Sequence, residues 1–135
     1  MSLIQLIDFK ILGDERGSLV SLEQNKNIPF DIKRVYYLFD TKSNEARGFH
    51  AHKALRQVGV CVKGSCSIKM DNGLQQKTVV LNSSEKGLLI DVMQWHEMYD
   101  FSGDCVFMVL ASDYYDEEDY IRDYDEFIRL VKSES

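Results

Sequence analysis

Short segments of strand character crowd this chain, and that crowding constrains the fold more than any other feature of the sequence. Residues 5–12, 18–23, 33–39, 48–52, 57–62, 65–70, 77–81, 87–90, 95–101 and 105–111 are rich in Val, Ile, Leu, Phe and Tyr. Branched and ring side chains of this kind suit a pleated, half-buried surface. Turn residues separate many of the segments, as in Gly13-Asp14-Glu15-Arg16-Gly17 and Ser102-Gly103-Asp104. Asp71-Asn72-Gly73 predicts a hairpin, because Asn-Gly tolerates positive φ at both central positions. Only the end changes period. Tyr120, Ile121, Tyr124, Phe127, Ile128 and Val131 recur at three and four residues, which gives one apolar face on a helix, with Asp123 or Asp125 as its cap. One helix after about ten strands predicts an all-β sandwich or barrel with a short C-terminal helix lying against it. No repeat, linker or low-complexity stretch divides the chain, so residues 1–135 are expected to form one domain.

Charge and cysteine use narrow the function. The net charge is −6, which argues against nucleic acid, since a phosphate-binding surface needs a basic face. A few arginines inside a pocket still suffice for a small anion. No apolar run approaches the roughly 18 to 20 residues of a membrane span, and no secretory leader is apparent. Cys61, Cys66 and Cys105 form no CxxC pair, and an odd count suits a reducing compartment, so the cytoplasm is expected. The three thiols read as buried apolar groups. The acidic residues 113–119 read as a solvated loop whose tyrosines remain available to a pocket mouth or a subunit contact.

Chemistry concentrates in the three histidines. His50 and His52 are separated by one residue, so on a strand both imidazoles face one side, about 7 Å apart along the chain. His96 lies in a later aromatic segment. The run His50-Ala51-His52, then Gln57, then Gly64 resembles the first cupin motif, and residues 87–96 resemble a shortened second one. Metal cupins place a glutamate where this chain has Gln57, and a neutral amide is a poorer ligand for a hard or borderline cation. Three histidines alone can hold zinc or iron, so a three-His metal oxygenase stays open. The alternative use of paired imidazoles in a pocket is proton transfer, for which a near-neutral pKa is suited.

Several stretches together resemble one cupin family, the nucleotide-sugar 3,4-ketoisomerases of WxcM-like type. They are Asp14-Glu15-Arg16-Gly17-Ser18-Leu19, Ile32-Lys33-Arg34-Val35-Tyr36-Tyr37, Arg47-Gly48-Phe49-His50-Ala51-His52-Lys53, Trp95-His96-Glu97-Met98 and Val109-Leu110-Ala111-Ser112-Asp113-Tyr114-Tyr115. The resemblance implies a cupin jelly roll, a homodimer, and a dTDP-linked 4-keto-6-deoxyhexose as substrate. It implies a tautomerisation that needs neither metal nor cofactor. His50 and His52 would carry the proton transfers, with His52 given the C3 proton and His50 the transfers at the sugar oxygens. Tyr37 would orient an imidazole or the substrate. Arg47 is the expected phosphate ligand, assisted by Arg34 or Lys53, and Gln57 would hydrogen-bond the sugar. Arg16 paired with His96 resembles the branch that makes the galacto product. A non-catalytic nucleotide-sugar-binding cupin and a nucleotide-sugar 3,5-epimerase are the remaining alternatives.

Overall fold

The computed structural model describes residues 2–133. In chain order its strands are β1 (Leu6–Asp8), β2 (Leu12–Asp14), β3 (Gly17–Leu19), β4 (Arg34–Leu38), β5 (Arg47–His52) and β6 (Gln57–Lys63). β7 (Cys66–Asp71), β8 (Gln76–Leu81), β9 (Lys86–Ile90), β10 (Trp95–Tyr99), β11 (Val106–Ala111) and β12 (Tyr120–Ile121) follow. A 3-10 turn over Glu117–Asp119 precedes β12, and helix α1 (Tyr124–Ser133) closes the described chain. One five-stranded sheet runs β1-β9-β6-β11-β4, and a second runs β12-β5-β10-β7-β8. All their ladders are antiparallel. The two sheets fit the expected jelly roll.

β6 explains why a run of apolar residues sits in an antiparallel sheet. Cys61 belongs to the core between the sheets, with Ile68, Met70, Leu88 and Phe107. Val58 and Val60 point the other way and pack under Phe9, Ile28 and Phe30. A strand covered on both faces loses the usual alternation. A third cluster sets Phe127 of α1 against Trp95, Ala51 and Ile121 on the outside of the second sheet.

Several expected elements come out differently. The segment 5–12 breaks into β1 and β2, because Phe9 turns inward to the second cluster and its N–H donates to the carbonyl of Glu85. Beyond Leu19 the segment 18–23 leaves the β2–β3 hairpin, and Val20 and Leu22 pack as loop residues. The turn after β7 spans residues 72–75, with positive φ at Gly73 alone of its Asn-Gly pair. Tyr120 and Ile121 are not helical; they form β12 and pair with β5. Asp123 is the cap of α1, its Oδ1 accepting from the N–H of Asp125 (2.8 Å) and of Glu126 (3.2 Å), groups a helix start leaves unpaired.

Candidate active site

The strands bring the histidines together for reasons of register. His50 and His52 share a face of β5, and His96 of β10 stands directly opposite His50. Directly opposed residues on antiparallel strands project to the same side. The ring centroids of His50 and His96 lie 4.5 Å apart, those of His50 and His52 5.1 Å. Tyr120 opposes His52 across β12 and stands 4.3 Å from it, centroid to centroid.

A cavity of about 310 Å³ opens between the sheets in front of this cluster. His50, His96, Tyr120 and Arg47 line it from one side, Tyr36, Gln57 and Arg34 from the other, with Tyr115 and Arg122 at its wall. Arg47 and His50 share the cavity although they are three apart, which strict alternation forbids. A bulge resolves this. His50 opposes His96 while Gly48 opposes Glu97, so Phe49 is an extra residue, and both Gly48 and Phe49 have positive φ. Inserting one residue flips the strand's facing beyond it.

Burial governs the electrostatics. It pushes the His50 imidazole down to about 4, with His52 adding to the effect, and His96 down to about 3, with His50 and His52 adding. Both rings are neutral near pH 7. His52 is also lowered by burial, but Asp119 opposes the shift. The Asp119 carboxylate lies 3.1 Å from His52 Nδ1 and accepts from the N–H groups of Ala54 (2.8 Å) and Leu55 (3.2 Å). Nδ1 of His50 and Nε2 of His52 are buried without a hydrogen-bond partner.

Not every candidate residue reaches the cavity. Tyr37 points outward and is 61% exposed; its neighbour Tyr36 holds the inward position. The Tyr36 hydroxyl donates to Gln57 Oε1 at 2.7 Å, and burial raises its pKa to about 12, so it remains a donor. Lys53 is exposed, does not line the cavity, and has its N–H donating to the Asp119 carbonyl. Arg16 sits at the tip of the β2–β3 hairpin, outside its own chain's cavity, and pairs with Asp14 at 2.5 Å. Asp119, Tyr36, Tyr120 and Arg122 are the residues that the sequence reading missed. The acidic stretch is not simply a solvated loop: Asp119 orients His52, and Glu117 pairs with Arg122 at 2.7 Å.

A metal finds a weaker fit here. The Gln57 oxygen that replaces the cupin carboxylate is occupied by Tyr36. Among the described residues, the set of three metal-capable side chains whose donor atoms lie within 4.8 Å of one another is Cys61, Cys66 and Cys105, not the histidines.

Comparison with known proteins decides the family. The sequence profile described as "FdtA: WxcM-like, C-terminal" matches residues 2–132. This chain belongs to the WxcM-like FdtA family. A TDP-4-oxo-6-deoxy-alpha-D-glucose-3,4-oxoisomerase of Aneurinibacillus thermoaerophilus is 59% identical over 127 residues, covering 94% of this chain and 91% of that protein. The crystal structure of a 3,4-ketoisomerase from Helicobacter canadensis is 48% identical with a TM-score of 0.93, covering 96% of this chain and 97% of that one. A histidine-to-asparagine variant of the 3,4-ketoisomerase QdtA from Thermoanaerobacterium thermosaccharolyticum, in complex with TDP-4-keto-6-deoxyglucose, is 44% identical. Its TM-score is 0.94, with 98% of this chain and 96% of that one covered. As an FdtA-type protein the chain is a sugar 3,4-ketoisomerase, which sets aside the oxygenase and non-catalytic readings.

Proposed function

We propose that the cavity binds TDP-4-keto-6-deoxy-D-glucose and moves its carbonyl from C4 to C3 through an enediol, by histidine-mediated proton transfer and without a metal. The observation that carries this reading is the position of neutral His50 on the cavity wall, backed by a carboxylate-held His52 one ring behind it. The substrate is supported by the name of the Aneurinibacillus relative and by the ligand of the QdtA variant.

Loss of the C3 proton puts its electron pair into a C3–C4 double bond and leaves negative charge on the C4 oxygen. Transfer of the C3 hydroxyl proton to the C4 oxygen, with return of a proton to C4, leaves a carbonyl at C3 and a hydroxyl at C4. The geometry favours His50 as the group that exchanges the carbon-bound protons, the reverse of the order expected from sequence. A neutral imidazole is the form that accepts a proton. The carboxylate of Asp119 fixes the tautomer of His52 and steadies positive charge passed to it. Tyr36, rather than Tyr37, fills the tyrosine role by holding Gln57 against the sugar.

Arg34 and Arg47 line the cavity and form no ion pair among the described residues, so both are available to the diphosphate. His96 supports the galacto product from the cavity wall. Arg16 contributes to that choice only if the hairpin of a second copy delivers it, which fits the homodimer the family resemblance implies. Chelator-treated protein, incubated with TDP-4-keto-6-deoxyglucose and a coupled aminotransferase, tests both points. Undiminished turnover and a small H3–H4 coupling constant in the trapped product are expected. Activity restored only by an added ion contradicts the metal-free mechanism, and a large diaxial coupling contradicts the galacto assignment.

A further inference from the structure

The three cysteines come from separate segments, the inner face of β6, the start of β7 and the residue before β11, yet they converge. Each is 1% exposed, and their sulfurs all lie within 4.8 Å of one another, with Cys61 and Cys105 at 3.7 Å. Three sulfurs each about 2.3 Å from a shared central atom that sits above their plane, as a lone pair on that atom requires, stand roughly 3.5 Å apart. The cluster is thus close to the geometry of a three-sulfur ligand set. None of the cysteines lines the catalytic cavity. The geometry points to Cys61, Cys66 and Cys105 as a binding site for a thiophilic trivalent ion, of which arsenic(III) is the case that suits the surroundings.

Charge selects the class of ion. Three thiolates around a divalent cation leave a net negative charge, which is costly in an apolar core. Arsenic(III) with three thiolates is neutral. Arsenous acid and three thiols give the tris-thiolate and three waters: three As–O bonds break, three As–S bonds form, each thiol proton leaves in water, and no oxidation state changes. The route needs no standing pool of three thiolates. Access runs through two surface turns around Gly64 and Gly103. These are tied by the Ser65 N–H donating to Ser102 Oγ (2.9 Å) and the Ser102 N–H donating to the Ser65 carbonyl (2.9 Å). Short turns of this kind open locally at modest cost.

The test uses the full chain, reduced, with sodium arsenite as the probe. Native mass spectrometry is expected to find one arsenic per chain with three waters released, and thiol titration of the saturated protein to find no free cysteine. Cys66→Ala and Cys105→Ala are each expected to lose the bound arsenic at the concentration that saturates the parent, with thermal unfolding checking that they remain folded. If a variant does not fold, the parent still decides. A free thiol remaining at saturation, no bound arsenic in the parent, or undiminished binding by a folded variant overturns the proposal.

Discussion

His50 shows how much a single residue's surroundings matter here, since the same side chain on an open strand would titrate near 6.5. Buried at the cavity wall beside His52 and His96, it is neutral and serves as the proposed proton carrier. His50→Asn keeps a hydrogen-bonding group of similar size but removes the titratable nitrogen. Turnover should fall by roughly two to four orders of magnitude, while calorimetry finds TDP affinity little changed. Near-normal turnover would make the histidine structural. Asp119→Asn should lower kcat more than it raises KM, because an amide can donate to His52 Nδ1 and impose the wrong tautomer. An equal change in both constants would point to a binding role instead. The histidines were legible in the sequence because a His-x-His pair fixes its own facing on a strand. The tyrosine was not: Tyr36 and Tyr37 are adjacent, and which of them faces inward depends on how β4 registers with β11. Asp119 was hidden in a run of acidic residues whose composition suggests solvent, and only the pairing of β12 with β5 brings it to His52.

Among the elements, β5 depends on its bulge. Gly48 has φ of +90°, and a Cβ there would meet the His96 carbonyl oxygen at 2.9 Å. Gly48→Ala should destabilise the fold by about 1–3 kcal/mol, the usual scale for a strained backbone position. It should also cost activity, since relief of the strain moves Arg47 or His50 off the cavity wall. Urea unfolding with an unchanged midpoint would contradict this. The strands themselves were readable from β-branched and aromatic runs, and the C-terminal helix from its period. The breaks were not readable, because they are set by long-range demands. Phe9 leaves its strand to fill a pocket over Val58, and Ile121, at a helical spacing from Tyr124, is claimed by β5 instead.

The whole molecule carries the consequence of burying these imidazoles. In the unfolded chain a histidine titrates near 6.5, whereas folding lowers His50 to about 4 and His96 to about 3. As pH falls, the unfolded state therefore takes up protons first, and stability is lost progressively from about pH 6.5 down towards 4 and 3. Above that window the histidines cost nothing. Denaturant unfolding at pH 7.5 and 4.5 should show a loss that His96→Gln reduces; an identical loss in the variant would assign the effect to other groups. The jelly roll, its histidine face and the turn at residues 13–17 were legible in the sequence, whereas the direction in which that turn carries Arg16, away from its own chain's cavity, was not. What defines the reaction is where the carbonyl goes. Carbon NMR of TDP-4-keto-6-deoxyglucose after incubation with the protein tests it most directly. The carbonyl signal is expected to leave C4 and appear at C3 while C5 keeps its configuration. A carbonyl that stays at C4, with or without inversion at C3 and C5, would contradict it.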